Sequence, residues 1–331
     1  MSRLAAAPGR ASASAPARAT VRQRLVAGAV SVASWLACHL PERPQLELAD
    51  LFGELWYRLD ANRAAQARRN LERVARWLVE ADLADARVEA AARDPRALDL
   101  LVRAAFRHYA RYYLDVARAP ALTPGYLAER LTVETPEQFE AAFGAPGPRI
   151  FIGLHLGAIE LQAYVAAVHA ERPLTTPMET VDDPALQAYF ARTRGALGIR
   201  IVGLREARRE VMAALERGEP VGLVGDRDLT GGGMPVRLFG APTSLPLGPA
   251  LVAIETGAPT YGVSVRRRPG GRYVGRLDPL AIPVDGSRRE RVTRFLDAEA
   301  RWFERQVARA PDQWWAVFFP IWPDLEAEAG R

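Results

Sequence analysis

The 331-residue chain has no lysine, a single cysteine and only four histidines, and no apolar run reaches the ~20 residues a helix needs to cross a bilayer. Each shortage removes a class of protein. Cys38 alone can form neither an internal disulfide nor a cysteine-based zinc site. A multi-pass membrane protein is excluded, although 49% of the residues are hydrophobic. No Gly-x-Ser-x-Gly elbow occurs, which disfavours serine-hydrolase chemistry. Gly231-Gly-Gly233 lacks the Lys-Ser/Thr continuation of a phosphate loop and reads as a mobile turn. No module interleaving basic and aromatic residues is recognisable, so no nucleic-acid partner is expected.

All 44 basic residues are therefore arginines, set against 39 acids for a net charge of +5. Guanidinium groups pair with phosphate oxygens two at a time, so phosphate-bearing partners are implied. Residues 1–20, mostly Ala, Ser, Pro and Arg, are expected to be a disordered tail. Between Arg22 and Leu40, Leu25, Val26, Val30, Val32, Leu36 and Leu40 recur at helical spacing behind a basic flank, with Trp35 near the end. An export signal, a core helix and a helix lying in a membrane surface all fit this stretch. A basic, Trp-bearing helix too short to span suits the last, and residues 21–40 are assigned to an amphipathic, membrane-surface helix.

From Leu46 to about Leu122 the patterns are helical. Ala64 to Ala81 carries Leu71, Val74, Trp77 and Leu78 on one face, and Ala97 to Val116 carries a wide apolar and aromatic stripe that should pack on a sheet. Beyond residue 148 the period changes. Ile150 to Leu154 is a short buried-strand pattern, and helical spacing begins after Gly157, so His155 sits where a strand ends and a helix starts. Pro173–Met178, Ile199–Leu204 and Pro220–Gly225 follow as strands, alternating with helices at Asp183–Leu197, capped by Asp182 or Asp183, and at Glu206–Arg217. Such alternation marks βαβ units. Tyr261–Arg267 and Arg272–Leu277 read as a hairpin, Ser287 caps a last long helix to Arg309, and the aromatic-rich Pro311–Trp322 should pack over the site or against lipid. The fold class expected is α/β: a mostly parallel central sheet flanked by helices, preceded by an N-terminal helical segment, with residues 41–331 as a single domain.

An imidazole at a strand tip can take a proton from a hydroxyl near neutral pH when a carboxylate holds its other nitrogen. Two acids compete for that place. Glu160 follows His155 by five positions. Asp226 opens the Asp226-Arg227-Asp228 cluster at the end of another strand and would emerge on the same rim if the strands are neighbours.

Together these segments resemble the lysophospholipid acyltransferase superfamily, in its branch of bacterial lipid A acyltransferases and phosphatidylinositol mannoside acyltransferases. The resemblance covers almost the whole chain after residue 40. It is carried by His155-Leu-Gly-Ala-Ile-Glu160, by Asp226-Arg-Asp-Leu229 with Leu238-Phe-Gly240, by Leu245-Pro-Leu-Gly-Pro-Ala-Leu-Val-Ala253 with Thr256-Gly-Ala-Pro259, and by Pro311-Asp-Gln-Trp314 with Pro320-Ile-Trp322. Asn70 to Val74 and Phe106 to Tyr113 look like the helical segment that precedes the motif. Ala158 and Ile159 stand where the family motif often has Asn and an aromatic residue.

The resemblance implies transfer of an acyl group from acyl-CoA or acyl carrier protein to a hydroxyl of a membrane glycolipid, without metal or cofactor. It implies His155 as general base, Asp226 as its direct partner and Glu160 as support, with amide groups around Gly157 as donors to the oxyanion. Glu179 and Arg194 are expected to bind substrate as a charged pair near the acceptor headgroup, joined by Arg227 and Asp228. The acceptor it favours is a phosphatidylinositol mannoside, with a lipid A precursor as the alternative. A non-catalytic lipid-binding protein and a thioesterase are the other readings. The expected place is peripheral, at the cytoplasmic face of the cell membrane, against an anionic surface.

Overall fold

The computed structural model describes residues 20–144, 146–179, 183–229 and 231–329. Apart from Thr20, the expected disordered tail lies outside them, as does Asp182. Thr20 accepts from Gln23 N while the Gln23 side chain accepts from Thr20 N, a capping box that starts α1 (Val21–His39). Helix α2 (Glu42–Leu59) follows, and Asp60, Asp85 and Asp94 cap α3 (Ala61–Glu80), α4 (Ala86–Arg93) and α5 (Pro95–Arg118).

Small residues join α1 to the rest of the fold: Ser34 Oγ donates to Ala117 O at 2.7 Å, and Ala37 is buried. Its large side chains Val21, Leu25, Val32 and Trp35 are all more than half exposed, so it is not a core helix. On α2, Leu48, Leu51, Phe52, Leu55 and Leu59 form a second exposed stripe at three-to-four-residue spacing. The opposite side of α2 packs on α5, where Trp56 stacks on Tyr109 and Asp50 pairs with Arg111.

The chain continues through α6 (Pro124–Arg130), β1 (Leu131–Val133), α7 (Pro136–Phe143), β2 (Arg149–Gly157), α8 (Ile159–Ala170) and β3 (Leu174–Met178). Next come α9 (Pro184–Gly195), β4 (Ile199–Gly203), α10 (Ala207–Glu216), β5 (Pro220–Val224) and a ribbon of β6 (Met234–Leu238) and β7 (Ala241–Leu245). After α11 (Leu247–Thr256), β8 (Thr260–Arg268), β9 (Arg272–Pro279) and α12 (Arg288–Ala308), two 3-10 turns at Pro311–Gln313 and Trp315–Phe318 lead to α13 (Pro323–Ala329).

Seven strands form one sheet in the order β1-β9-β8-β2-β5-β3-β4, parallel except for the β8–β9 hairpin. The α/β class with a leading helical segment is thus what the sequence implies. Strand β2 lies between β5 and β8 and is buried on both faces. Ile150, Ile152, Leu154 and Leu156 join the larger core with residues of α3, α5 and α12, whereas Phe151 joins a second core with Leu161 and Val165 of α8. Each of those four fully buried side chains contributes about 1.5–3 kcal/mol relative to exposure. A one-residue slip would put them on the wrong face, so β2 has one register.

Two differences from the sequence reading bear on the site. Strand β2 runs on to Gly157, which places His155 inside the strand rather than past its end, and its alignment with β8 shifts between Gly153 and Gly157. There the chain turns at Gly157 with φ of 61°, and a Cβ would stand 2.1 Å from Val265 O, so only glycine fits.

Candidate active site

Gly153 of β2 pairs with Val224, the last residue of β5, and two residues later the chain places Asp226 against His155. Asp226 Oδ1 lies 2.7 Å from His155 Nδ1, and Oδ2 accepts from His155 N at 3.0 Å and from Trp314 Nε1 at 2.7 Å. Burial pushes this carboxyl up, but the His155 charge and the bonds from His155 and Trp314 outweigh it and hold Asp226 below the usual carboxylate range. An ionised carboxylate only accepts, so His155 Nδ1 carries a proton, and whenever the ring is neutral Nε2 is the acceptor.

Trp314 gave no sign in sequence of touching Asp226, from which it is 88 residues distant. The aromatic segment does pack over the site. Leu156 forms an antiparallel bridge with Trp314, and the Trp315 ring stands 4.1 Å from the imidazole.

His155 and Trp315 open on a cavity of about 560 Å³, within the ~300–1,000 Å³ usual for small-molecule sites. Its walls are largely apolar, with Ile159 and Ala163 of α8, Ile201 of β4, Val211 of α10 and Val252 of α11 among them. Glu160, Glu179, Arg194, Arg208 and Arg227 bring charge to the same cavity.

Four of the remaining expected residues take other partners than sequence suggests. Glu160 has no hydrogen bond to His155 among the described residues. Both its oxygens are held by Arg194, with Nε to Oε2 at 3.0 Å and Nη2 on Oε1. Arg194 is therefore paired with Glu160 and not with Glu179, and burial, which lowers its pKa, is outweighed by that carboxylate. Exposed Glu179 lies on the cavity and acts electrostatically on Arg227. Asp228 is not among the cavity-lining residues. Its carboxylate accepts from Gly231 N, Gly233 N and Ser244 Oγ, bracing the glycine-rich turn that sequence reads as mobile. The amide of Ala158, one of the groups expected to face an oxyanion, instead donates to Val265 O at 3.0 Å.

Arg227 stacks over the Phe319 ring at 3.8 Å. Among the described residues it has no hydrogen-bonding partner, and burial lowers its pKa against the pull of Asp226 and Glu179. A half-buried guanidinium with open donors in an apolar cavity is suited to an anionic ligand.

The family model for bacterial lipid A biosynthesis acyltransferases matches residues 87–320. A phosphatidylinositol mannoside acyltransferase of Mycolicibacterium smegmatis is 33% identical over 235 residues, covering 70% of this chain and 75% of that protein. One from Mycobacterium tuberculosis strain H37Rv is 32% identical over 166 residues, 48% of this chain and 52% of its own length.

Proposed function

Because this chain belongs to the bacterial lipid A biosynthesis acyltransferase family and is an acyltransferase, we propose that it moves a fatty acyl group from acyl-CoA, or from acyl carrier protein, to a sugar hydroxyl of a phosphatidylinositol mannoside. The observation that carries the reading is the His155–Asp226 pair opening on an apolar cavity. Nε2 of His155 takes the proton of the acceptor hydroxyl as its oxygen attacks the thioester carbonyl. The tetrahedral oxyanion then collapses, the C–S bond breaks, and the thiolate recovers the proton from the imidazolium. Asp226 fixes the ring and stabilises its cationic form, as carboxylates do in catalytic triads. General base catalysis of this kind is worth about 10²–10⁴ in rate.

The apolar walls suit the fatty chain, and Arg227 suits a phosphate of donor or acceptor. Glu160 and Arg194 act together as a braced wall segment, and Glu179 is available to sugar hydroxyls at the opening. Among the described residues no helix is long and apolar enough to cross a membrane. The exposed stripes of α1 and α2, with Arg22, Arg24, Arg43 and Arg58 on the same two helices, suit a peripheral position on an anionic cytoplasmic membrane surface.

The test is mass spectrometry of products from purified protein, palmitoyl-CoA and a choice of a phosphatidylinositol mannoside or a lipid A precursor. One added acyl group on the mannoside lipid is expected. Acylation of the lipid A precursor alone, or release of free fatty acid alone, would overturn the assignment in favour of the other acceptor or of thioester hydrolysis.

A further inference from the structure

Behind the catalytic pair lies a second carboxyl group that the mechanism does not use. Glu299 of α12 is fully buried, and neither of its oxygens has a hydrogen-bond partner among the described residues. It packs on the residue next to Asp226: a Cβ built on Gly225 would stand 2.2 Å from Glu299 Oε1 and 3.3 Å from the Phe303 ring. A side chain at position 225 would have to displace this carboxyl group.

An ionised carboxylate without partners in such a place is too costly to persist, so the group keeps its proton. Burial first, and then the charge of Asp226, push its pKa well above the ordinary value. Most other charges on the elements packed against α12 are engaged elsewhere; Arg267 of β8 pairs with Asp115, and Arg268 at the end of β8 is exposed. Glu255 of α11 binds Arg208 and Arg288, Arg237 of β6 donates to Gly240 O, Arg266 of β8 holds Glu134, and Asp312 of the first 3-10 turn holds Arg87. Within α12 itself, Glu304 accepts from Phe239 N.

We propose that Glu299 is a positioning residue of the catalytic pair: a neutral, proton-bearing carboxyl group that seats Gly225 and leaves Asp226 as the one negative charge behind His155, and whose ionisation sets the alkaline limit of acyl transfer. This rests on His155 acting as the base. Two buried acids with opposite protonation, one touching the imidazole and one behind it, divide a task that two ionised acids could not share. Losing the Glu299 proton to bulk base would leave an unpartnered charge in a dry site; to reach water the carboxylate would have to leave Gly225, and Asp226, the next residue, would lose its placement against His155.

With a folded pKa above its unfolded value of about 4.3, Glu299 keeps in the folded state a proton that the unfolded chain has released, so it costs stability progressively as pH rises from that value to its folded pKa. Glu299→Met and Glu299→Gln remove the ionisation, the first without adding donors. In the parent, the His155 ring followed by NMR should show a second, alkaline inflection that both variants lack. The stability of Glu299→Met relative to parent should rise with pH. At neutral pH, kcat of the variants should fall roughly three- to tenfold with KM little changed, and the alkaline fall of the parent profile should be lost.

Superimposable His155 titrations in parent and variants, or a stability difference that does not change with pH, would overturn the proposal. Neither measurement needs turnover. A protein that transferred no acyl group would overturn the functional reading, and the ring titration and stability comparison would still decide the placement of the proton.

Discussion

Asp226 is the residue on which the site converges, since one buried carboxylate accepts from the ring of His155, from its backbone and from Trp314. His155→Ala should lower acyl transfer at least ~100-fold with the fold intact, measured by thioester consumption in the presence of acceptor. Asp226→Asn presents an acceptor and a donor where two acceptors are needed, and a loss of about 10³–10⁴ is expected, as for the same change in a catalytic triad. Trp314→Phe removes one donor and moves the Asp226 carboxyl back up, for a loss of roughly tenfold or less in kcat and about 1.5–3 kcal/mol in stability by denaturant titration. His155 and Asp226 were legible because each interrupts or ends an apolar run with a polar group. The partner of Glu160 was not, because Arg194 lies on another helix, 34 residues on, and only the fold brings it to α8. Trp314 looked like one more core aromatic, since nothing in a sequence says where an indole N–H points.

Helices and strands were more readable than their ends. The apolar alternation located β2, β3, β4, β5, β8 and β9, and Ser287 starts α12 with a capping box as its position suggests. The β6–β7 ribbon has no counterpart in the sequence reading; it holds Pro235 and Pro242, which are tolerated in a ribbon outside the main sheet. The length of β2 was underestimated because His155 and Gly157 resemble the start of a turn. Burial on both faces carries the strand through them. Gly157→Ala would require φ near 60° and a clash with Val265 O, so a loss of more than about 2 kcal/mol in unfolding free energy is expected. The exposed stripe of α2 was overlooked because amphipathic spacing alone does not say whether an apolar face meets a core or water. Leu48→Gln, Leu51→Gln and Leu55→Gln together should reduce flotation with anionic vesicles at least tenfold, roughly, while changing stability little. Unchanged flotation would remove α2 from the proposed membrane surface.

At the scale of the whole molecule, alternating strands and helices predicted a parallel sheet, but its strand order depends on which buried faces meet and was not readable. The molecule also combines two opposed pH responses. Asp312, like Asp226, is pushed up by burial and brought below its ordinary value by stronger opposing effects, here the nearby His108 ring and the hydrogen bonds from Arg87. Such groups add stability that is present above their unfolded pKa of about 3.9 and lost as pH falls through the folded value, whereas Glu299 acts in the opposite sense above about 4.3. Unfolding free energy measured against pH should therefore pass through a maximum, and Asp312→Asn should flatten its acid side. The bridge between Leu156 and Trp314 has a consequence for biosynthesis. Both members of the proposed catalytic pair leave the ribosome long before the indole that holds Asp226 in place. A chain stalled before residue 311 would carry both His155 and Asp226 yet lack that clasp, so the pair is fastened only once this later segment has been made.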